Sequence, residues 1–597
     1  MEHEIHEHDV IVIGAGGAGL RAAIEASAKG VSVGLICKSL LGKAHTVMAE
    51  GGMAAALGNT DNRDNWEVHF RDTMRGGKLV NNWRMVELFC KEAPDRVNEL
   101  EEWGALFDRT EDGRILQRNF GGHQYPRLAH VGDRTGLEMI RTLQNHGIHQ
   151  GIQVYMECTI VDLLTDGDRV SGAFGYWRET GRFVTFRAKA VVLATGGIGK
   201  CYTVTSNSWE CTGDGQALAY RAGADLLDME FVQFHPTGMV WPPSVRGLLV
   251  TEGVRGEGGV LKNSEGKRFM YGYVPEMFMG EFADTEQEAS RWLDGDKNSR
   301  RPPELLTRDV VAKAIRSERL AGRGTPHGGA YLDIATQRKA EDIKRKLPSM
   351  YHQFMQLGNL DITKEPMEVG PTAHYVMGGV RVDADTAATS VRGLYAAGEV
   401  AGGLHGANRL GGNSLTDLIV FGRRAGSAAA GYAKDMANLP SVNPDQVKEI
   451  ERTATAPFDD KGSENPYTVM QDLQKCMELN SGIVRAKDEL ERGLSELQTL
   501  KQRAGKVKVE GDRHYNPGWH YAVDLRNMLI VSEAITLSAL HREESRGGHT
   551  RDDHPLSKPE LEGVNTVVRA RNGSMQHEHT PRPSRPDELQ QLLGSGH

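Results

Sequence analysis

The chain has 597 residues, room for roughly three to five structural units at about 150 residues each. Its composition, 39% hydrophobic and 25% charged, is that of a globular protein, and a net charge of −9 argues against nucleic acid as a main partner. Six scattered cysteines without a C-x-x-C pair argue against a disulfide framework and against an iron–sulfur site in this chain.

The opening MEHEIHEHD is polar and acidic. It lacks the basic start and apolar stretch of a signal peptide and reads as a solvated tail. His3, His6 and His8 fall in it without other ligands nearby, so no metal site is expected. No apolar run reaches the ~18 residues of a membrane-spanning helix.

Residues 10–13 form a short β-branched strand, followed by Gly14-Ala15-Gly16-Gly17-Ala18-Gly19, a G-x-G-x-x-G turn. A helical stretch with Leu20, Ala23, Ile24 and Ala28 on one side leads to a second strand at 31–36. Strand, turn, helix and strand are the context in which this motif binds a dinucleotide. Gly14 permits the tight turn, Gly16 the approach of a pyrophosphate and Gly19 close packing of helix on strand. The phosphate then meets the positive end of the helix dipole. An NAD site would place an acidic residue at the end of the second strand. Cys37-Lys38-Ser39 stand there instead, so either the dinucleotide is not NAD or its ribose is held differently.

In GKAHTVMAEGGMAAA (42–56), His45 is surrounded by small residues, a loop against which a large ligand can lie closely. Two later runs, KAVVLATGGIG (189–199) and VRGLYAAGEVAGG (391–403), look like the returning strands of a flavoprotein, so the cofactor domain is split by an insertion. NLPSVNPD (438–445) is a boundary, and apolar residues recur at helical spacing beyond it. The last segment is rich in Pro, Arg, His and Glu and reads as irregular.

HTVMAEGG, TGDG (212–215), QFHPTG (233–238), TEGVRGEGG (251–259), HYVMGG (374–379), LYAAGE (394–399), HGANRLGGNSL (405–415) and ESRGGHTRDDHP (544–555) follow in order. With these motifs the chain, from Asp9 to about Pro555, resembles the flavoprotein subunits of succinate dehydrogenase and fumarate reductase. The expected fold class is α/β: a Rossmann-like FAD-binding domain (1–238 and 352–435) split by an inserted α+β capping domain (239–351), then a helical domain (436–545) and an irregular C-terminal segment (546–597).

The resemblance implies FAD held covalently through a ring nitrogen of His45. The remaining cofactor residues would be the 14–19 turn, Lys38, Ser39, Thr46, Gly51 and Gly52. Asp214 and Glu399 would take ribose and ribityl hydroxyls, and Ser414 and Leu415 would meet the flavin at a helix start. His235, Thr251, His374 and Arg409 would clamp the two carboxylates of succinate or fumarate. Arg308 would move the proton, relayed by Glu252 and Arg255. Read without the resemblance, Arg308 is equally a helix-start surface residue paired with Asp309. The implied partners are an iron–sulfur subunit with, beyond it, a membrane anchor holding quinone. The place is peripheral, on the cytoplasmic face of the inner membrane. L-aspartate oxidase is the nearest rival, a soluble enzyme with the same fold and unattached FAD. An electron carrier without substrate chemistry would not need the five clamp and proton residues together. Glu50 as a carboxylate near the flavin would lower its potential and tilt the direction toward fumarate reduction.

Overall fold

The computed structural model of the chain describes residues 4–296, 298–459 and 461–594. Its seven-stranded sheet is built around Glu4–Ile13, which pairs in parallel with Val33–Ile36 on one side and Phe183–Leu193 on the other. Val10, Ile11 and Val12 are fully buried, because both faces of the sheet are covered. Helix Gly17–Ala28 covers one face and lies against helix Asn413–Asp435. That approach depends on Gly422 and Gly426, where an added Cβ would stand 2.7 Å from Ala18 O and 2.2 Å from Ala22 O. The short strand Leu394–Ala396 also pairs in parallel with Phe183–Leu193. A late segment therefore completes the sheet that the first residues began, and the FAD-binding domain is split.

Between its two parts lies a second, antiparallel sheet in the order Val232–Met239, Met367–Val376, Ala330–Asp333, Val260–Lys262. It has its own core, in which Met239, Phe269, Ile315, Phe354 and Val369 meet. This is the capping domain. The two strands that pair first, Val232–Met239 and Met367–Val376, carry His235 and His374, so the pairing itself brings these histidines together.

Helices Pro444–Thr455, Pro466–Asn480, Lys487–Ala504 and Pro517–His541 form the helical domain. Three of them start alike. Asn443, Asn465 and Asn516 accept backbone N–H bonds from the first turn, and a proline follows where its missing N–H costs nothing.

Both ends of the described chain are more ordered than their composition suggests. Glu4–Asp9 belong to the first strand, not to a solvated tail: Glu4 through His8 pair with Val184 through Ala188. His8 is buried with Nε2 2.8 Å from the Tyr155 hydroxyl, and His6 stacks on Phe186 at 5.5 Å. His3 lies outside the described residues. The partner strand is distant in sequence, so the polar alternation gave no sign of it. The terminal segment, expected to be irregular, contains the antiparallel hairpin Val564–Arg571 and Ser574–Pro581. Its turn, Asn572-Gly573, has φ of 51° and 75°, which these two residue types tolerate. The first of these strands pairs with Leu226–Leu227 and buries Val567 and Val568. Helix Asp587–Gly594 then lies on helix Trp66–Gly76 through Leu589.

The stretch just before the hairpin straps the molecule together. Arg542, fully buried, pairs with Glu230 and, at 3.0 Å, with Glu544. Gly547, at φ 55°, has no room for a Cβ, which would stand 2.4 Å from Ala407 O, and the Gly548 N–H donates to that same oxygen at 2.8 Å. The strap thus presses on the loop that carries Arg409. Among the described residues no helix is long and apolar enough to cross a membrane.

Candidate active site

One open cleft runs from the glycine turn to the capping domain. Of the residues expected at the site, all line it except Gly19 and Arg255, which stand behind its wall.

At the turn, Gly14 has φ 110°, and a Cβ there would stand 2.2 Å from Ala194 O. At Gly19 a Cβ would stand 1.8 Å from Gly14 O. The turn is therefore locked by backbone on both sides. It presents Ala15, Gly16 and the start of helix Gly17–Ala28 to the cleft, with no acidic residue in that first turn. Such an N-terminus suits a pyrophosphate.

Lys38 closes the strand Val33–Ile36 and donates to Asp214 Oδ2 at 3.0 Å, Asp524 Oδ1 at 2.6 Å and Thr212 Oγ1 at 3.0 Å. Asp214 Oδ1 also accepts from Asn527 at 2.8 Å. Burial works to lower the Lys38 pKa, but the two carboxylates raise it above the ordinary lysine value. Asp524 and Asn527 lie on helix Pro517–His541, so the helical domain finishes this end of the cleft. Glu399 receives the Val376 N–H at 3.0 Å, and burial pushes its carboxyl up to about 7. It can therefore donate or accept toward a hydroxyl. Ser39 and Glu210 line the same stretch.

His45 opens a single turn of 3-10 helix, His45–Met48. Its Nδ1 accepts the Ser208 N–H at 3.3 Å, and the Asn207 side-chain amide lies 3.3 Å from Nε2. Asn207 is fixed in turn, accepting from Gly199 N at 3.1 Å and donating to His374 O at 2.9 Å. Burial, then the nearby Lys200 charge, pushes the imidazole down to about 4, so it is neutral and nucleophilic. Burial, then the neighbouring Asp133, raises the Glu50 carboxyl well above its ordinary value, which works against the carboxylate expected there.

At the far end Arg308 is buried and begins helix Arg308–Glu318. It pairs with Glu252 at 3.0 Å, not with Asp309 at the surface. Glu252 Oε1 accepts the Gly121 N–H at 2.8 Å, and Arg255 stands 3.7 Å from Oε2, one turn along the short helix Glu252–Gly256. Burial works to raise the Glu252 pKa, yet Arg308 and Arg255 hold it below the carboxylate range. Thr251 caps that helix, its Oγ1 accepting the Gly253 N–H at 3.3 Å.

His235 Nδ1 accepts the Thr237 N–H at 3.3 Å, while its Nε2 is buried without a partner and lies on the cleft wall. His374 is held through Nδ1 by Ser206 Oγ at 2.8 Å. Burial, then the arginine charges around them, keeps both histidines well below the ordinary imidazole range. Arg409 donates to Ser414 Oγ at 2.7 Å and lies over the Tyr375 ring at 4.2 Å. Burial, then Arg308, lowers Arg409 to about 9. Ser414 and Leu415, in the first turn of helix Asn413–Asp435, face the cleft as expected. Sequence reasoning passed over Gln233, although it begins QFHPTG. Its Oε1 accepts from Arg308 at 3.2 Å and from Arg409 at 3.1 Å.

The arrangement suits a small dianion gripped by arginines and neutral histidines, next to a dinucleotide. A family model described as FAD binding domain matches residues 9–415, and one described as fumarate reductase flavoprotein C-term matches 470–583. The chain is 46% identical over 566 residues to a fumarate reductase (CoM/CoB) subunit of Methanothermobacter marburgensis, over 94% of this chain and 97% of that one. It is 36% identical to the succinate dehydrogenase flavoprotein subunit of Coxiella burnetii, over 92% of each. The solved structure of Mycobacterium smegmatis Sdh1 in complex with UQ1 matches with a TM-score of 0.85 at 56% identity, over 98% of this chain and 95% of that one.

Proposed function

From the chain's membership of the succinate dehydrogenase and fumarate reductase flavoprotein family, we propose that it interconverts succinate and fumarate as the catalytic subunit of a respiratory complex. FAD, when bound, supplies the two-electron exchange. The residues around the cleft fit it: the turn at 14–19 for the pyrophosphate, with Lys38, Ser39, Thr46, Gly51, Gly52, Asp214 and Glu399 along its length and Ser414 and Leu415 at the flavin end. His45 carries the covalent link to the flavin 8α carbon.

One observation carries the substrate assignment. Arg308 and Arg409, which line the cleft together with His235 and His374, converge on a single buried amide oxygen behind its wall, Gln233 Oε1. Arg409, His235, His374 and Thr251 grip the two carboxylates, Arg409 with a planar donor pair. Arg308 is left to hand a proton to the substrate carbon in reduction and to receive it in oxidation. Because a guanidinium does not stay deprotonated, it is recharged at once through Glu252, 3.0 Å away, with Arg255 behind. The capping domain, carrying Thr251, Glu252 and Arg308, excludes water while this happens. Electrons leave to an iron–sulfur subunit, then reach quinone through a membrane anchor, with this chain peripheral at the cytoplasmic face of the inner membrane. Identity with the archaeal fumarate reductase supports a complex that also runs in the reducing direction.

The test is an acid-denatured gel of purified protein under ultraviolet light. A fluorescent band at 65.6 kDa that maps to His45, with turnover of succinate or fumarate, is the expected result. A dark band with turnover of L-aspartate would replace this reading with that of an aspartate oxidase.

A further inference from the structure

Arg409 is a buried guanidinium with neutral partners. Its hydrogen bonds go to Gln233 Oε1 and Ser414 Oγ, its face to the Tyr375 ring. Among the described residues no carboxylate pairs with it. Charges so deeply buried are ordinarily paired, because leaving them alone is costly. Gln233 sits at the centre of the arrangement and is 1% exposed. Its Oε1 receives Arg308 and Arg409 together, and its Nε2 donates to Asn408 Oδ1 at 2.9 Å and to Arg409 O at 2.8 Å. The Asn408 amide donates onward to Asp309 Oδ1 at 3.4 Å. Oε1 accepts from two guanidiniums and Nε2 donates to two oxygens, so a flipped amide would lose all four bonds.

We propose that Gln233 is a positioning and specificity residue: one neutral amide that orients both arginines while leaving their positive charge for a doubly negative substrate. A carboxylate of the same shape would keep the acceptor that the two arginines share, but in place of Nε2 it would set an oxygen against Asn408 Oδ1 and Arg409 O. It would also cancel one of the two charges and occupy the place of a substrate carboxylate electrostatically. Neutrality at this position is what separates a dianion clamp from an internal salt bridge. Met would keep the volume but remove the shared acceptor, and the two like charges would move apart.

This inference rests on the dicarboxylate reading above, and the experiment separates the two. Flavin-loaded protein is titrated with malonate, a non-reacting dicarboxylate, and followed by flavin absorbance across about pH 5.5 to 8.5; Glu399, the histidines and malonate itself titrate alike in parent and variant, so the introduced carboxyl is read as the difference between the two profiles. For Gln233→Glu the malonate Kd rises at least about 100-fold at the alkaline end, an effect of the size that buried charge pairs produce. It recovers as pH falls and the introduced carboxyl is protonated, a limb absent from the parent protein. For Gln233→Met, fumarate kcat falls about tenfold without any new pH limb, as expected for lost orientation. A Gln233→Glu protein that binds malonate within about threefold of the parent, with the same pH profile, overturns the proposal, as does a Gln233→Met protein with parental kcat and KM. If Gln233→Glu does not fold, the methionine variant alone decides. Arg409→Lys is the control. If it binds malonate like the parent, the dicarboxylate reading itself fails. If it loses malonate while both Gln233 variants do not, only the role of Gln233 falls.

Discussion

The rings of His235 and His374 stand 5.1 Å apart with their planes at 63°, and both are neutral. Burial, then the charges of Arg308 and Arg409, depresses their folded pKa values well below 6.5. The unfolded chain takes up protons below about pH 6.5 that the native protein refuses. Their contribution to stability is therefore present above that pH and lost as pH falls through it. The Tm of the substrate-free protein should be level near pH 7.5 and decline below about 6.5, and His374→Gln should lessen the slope. A Tm that holds level down to about pH 5 contradicts the neutral assignment.

Arg308→Lys should keep FAD attached and lower kcat by about 10²- to 10⁴-fold, the range for loss of a positioned acid or base. Flavin fluorescence on a denaturing gel and steady-state fumarate reduction read the two quantities separately. Lysine cannot reach both Glu252 Oε2 and Gln233 Oε1 as the guanidinium does through Nε and Nη1.

Lys38→Met should destabilise the protein by about 3–5 kcal/mol, since two buried carboxylates, Asp214 and Asp524, lose their shared cation. The urea midpoint measures it. The double change Lys38→Met with Asp524→Leu should recover part of the loss. If the single variant is as stable as the parent, the triad is not held as ions.

Glu50→Gln should move the flavin midpoint potential by less than about 30 mV, the equivalent of one tenfold step for a two-electron couple. The reason is that burial and Asp133 both favour the protonated carboxyl. A larger shift would show that Glu50 ionises when the cofactor is in place.

Much of this was legible in the sequence for particular reasons. The glycine turn could be read because its steric demands admit no other residue: a Cβ at Gly19 would stand 1.8 Å from Gly14 O. The cleft histidines and arginines proposed for the substrate could be singled out by their motifs and chemistry. Gln233 stands within one of those motifs and was passed over, because an amide offers neither charge nor a nucleophile, and its role exists only once two arginines meet on it. Asp524 and Asn527 gave no local sign, since their partners, Lys38 and Asp214 respectively, stand hundreds of residues earlier in the chain. Two signals were present and unread. Asn572-Gly573 is a hairpin turn, and the Asn-Pro steps at 443, 465 and 516 each start a helix. Composition outweighed them.

The strap at residues 542–551 has a consequence for biosynthesis. Arg409 sits on a loop whose Ala407 carbonyl is held by Gly548, and the final hairpin completes a sheet begun near Leu226. A chain still on the ribosome lacks this hold on the Ala407 carbonyl until nearly all of it has been made, so the loop that bears Arg409 is among the last parts of the molecule to be fixed.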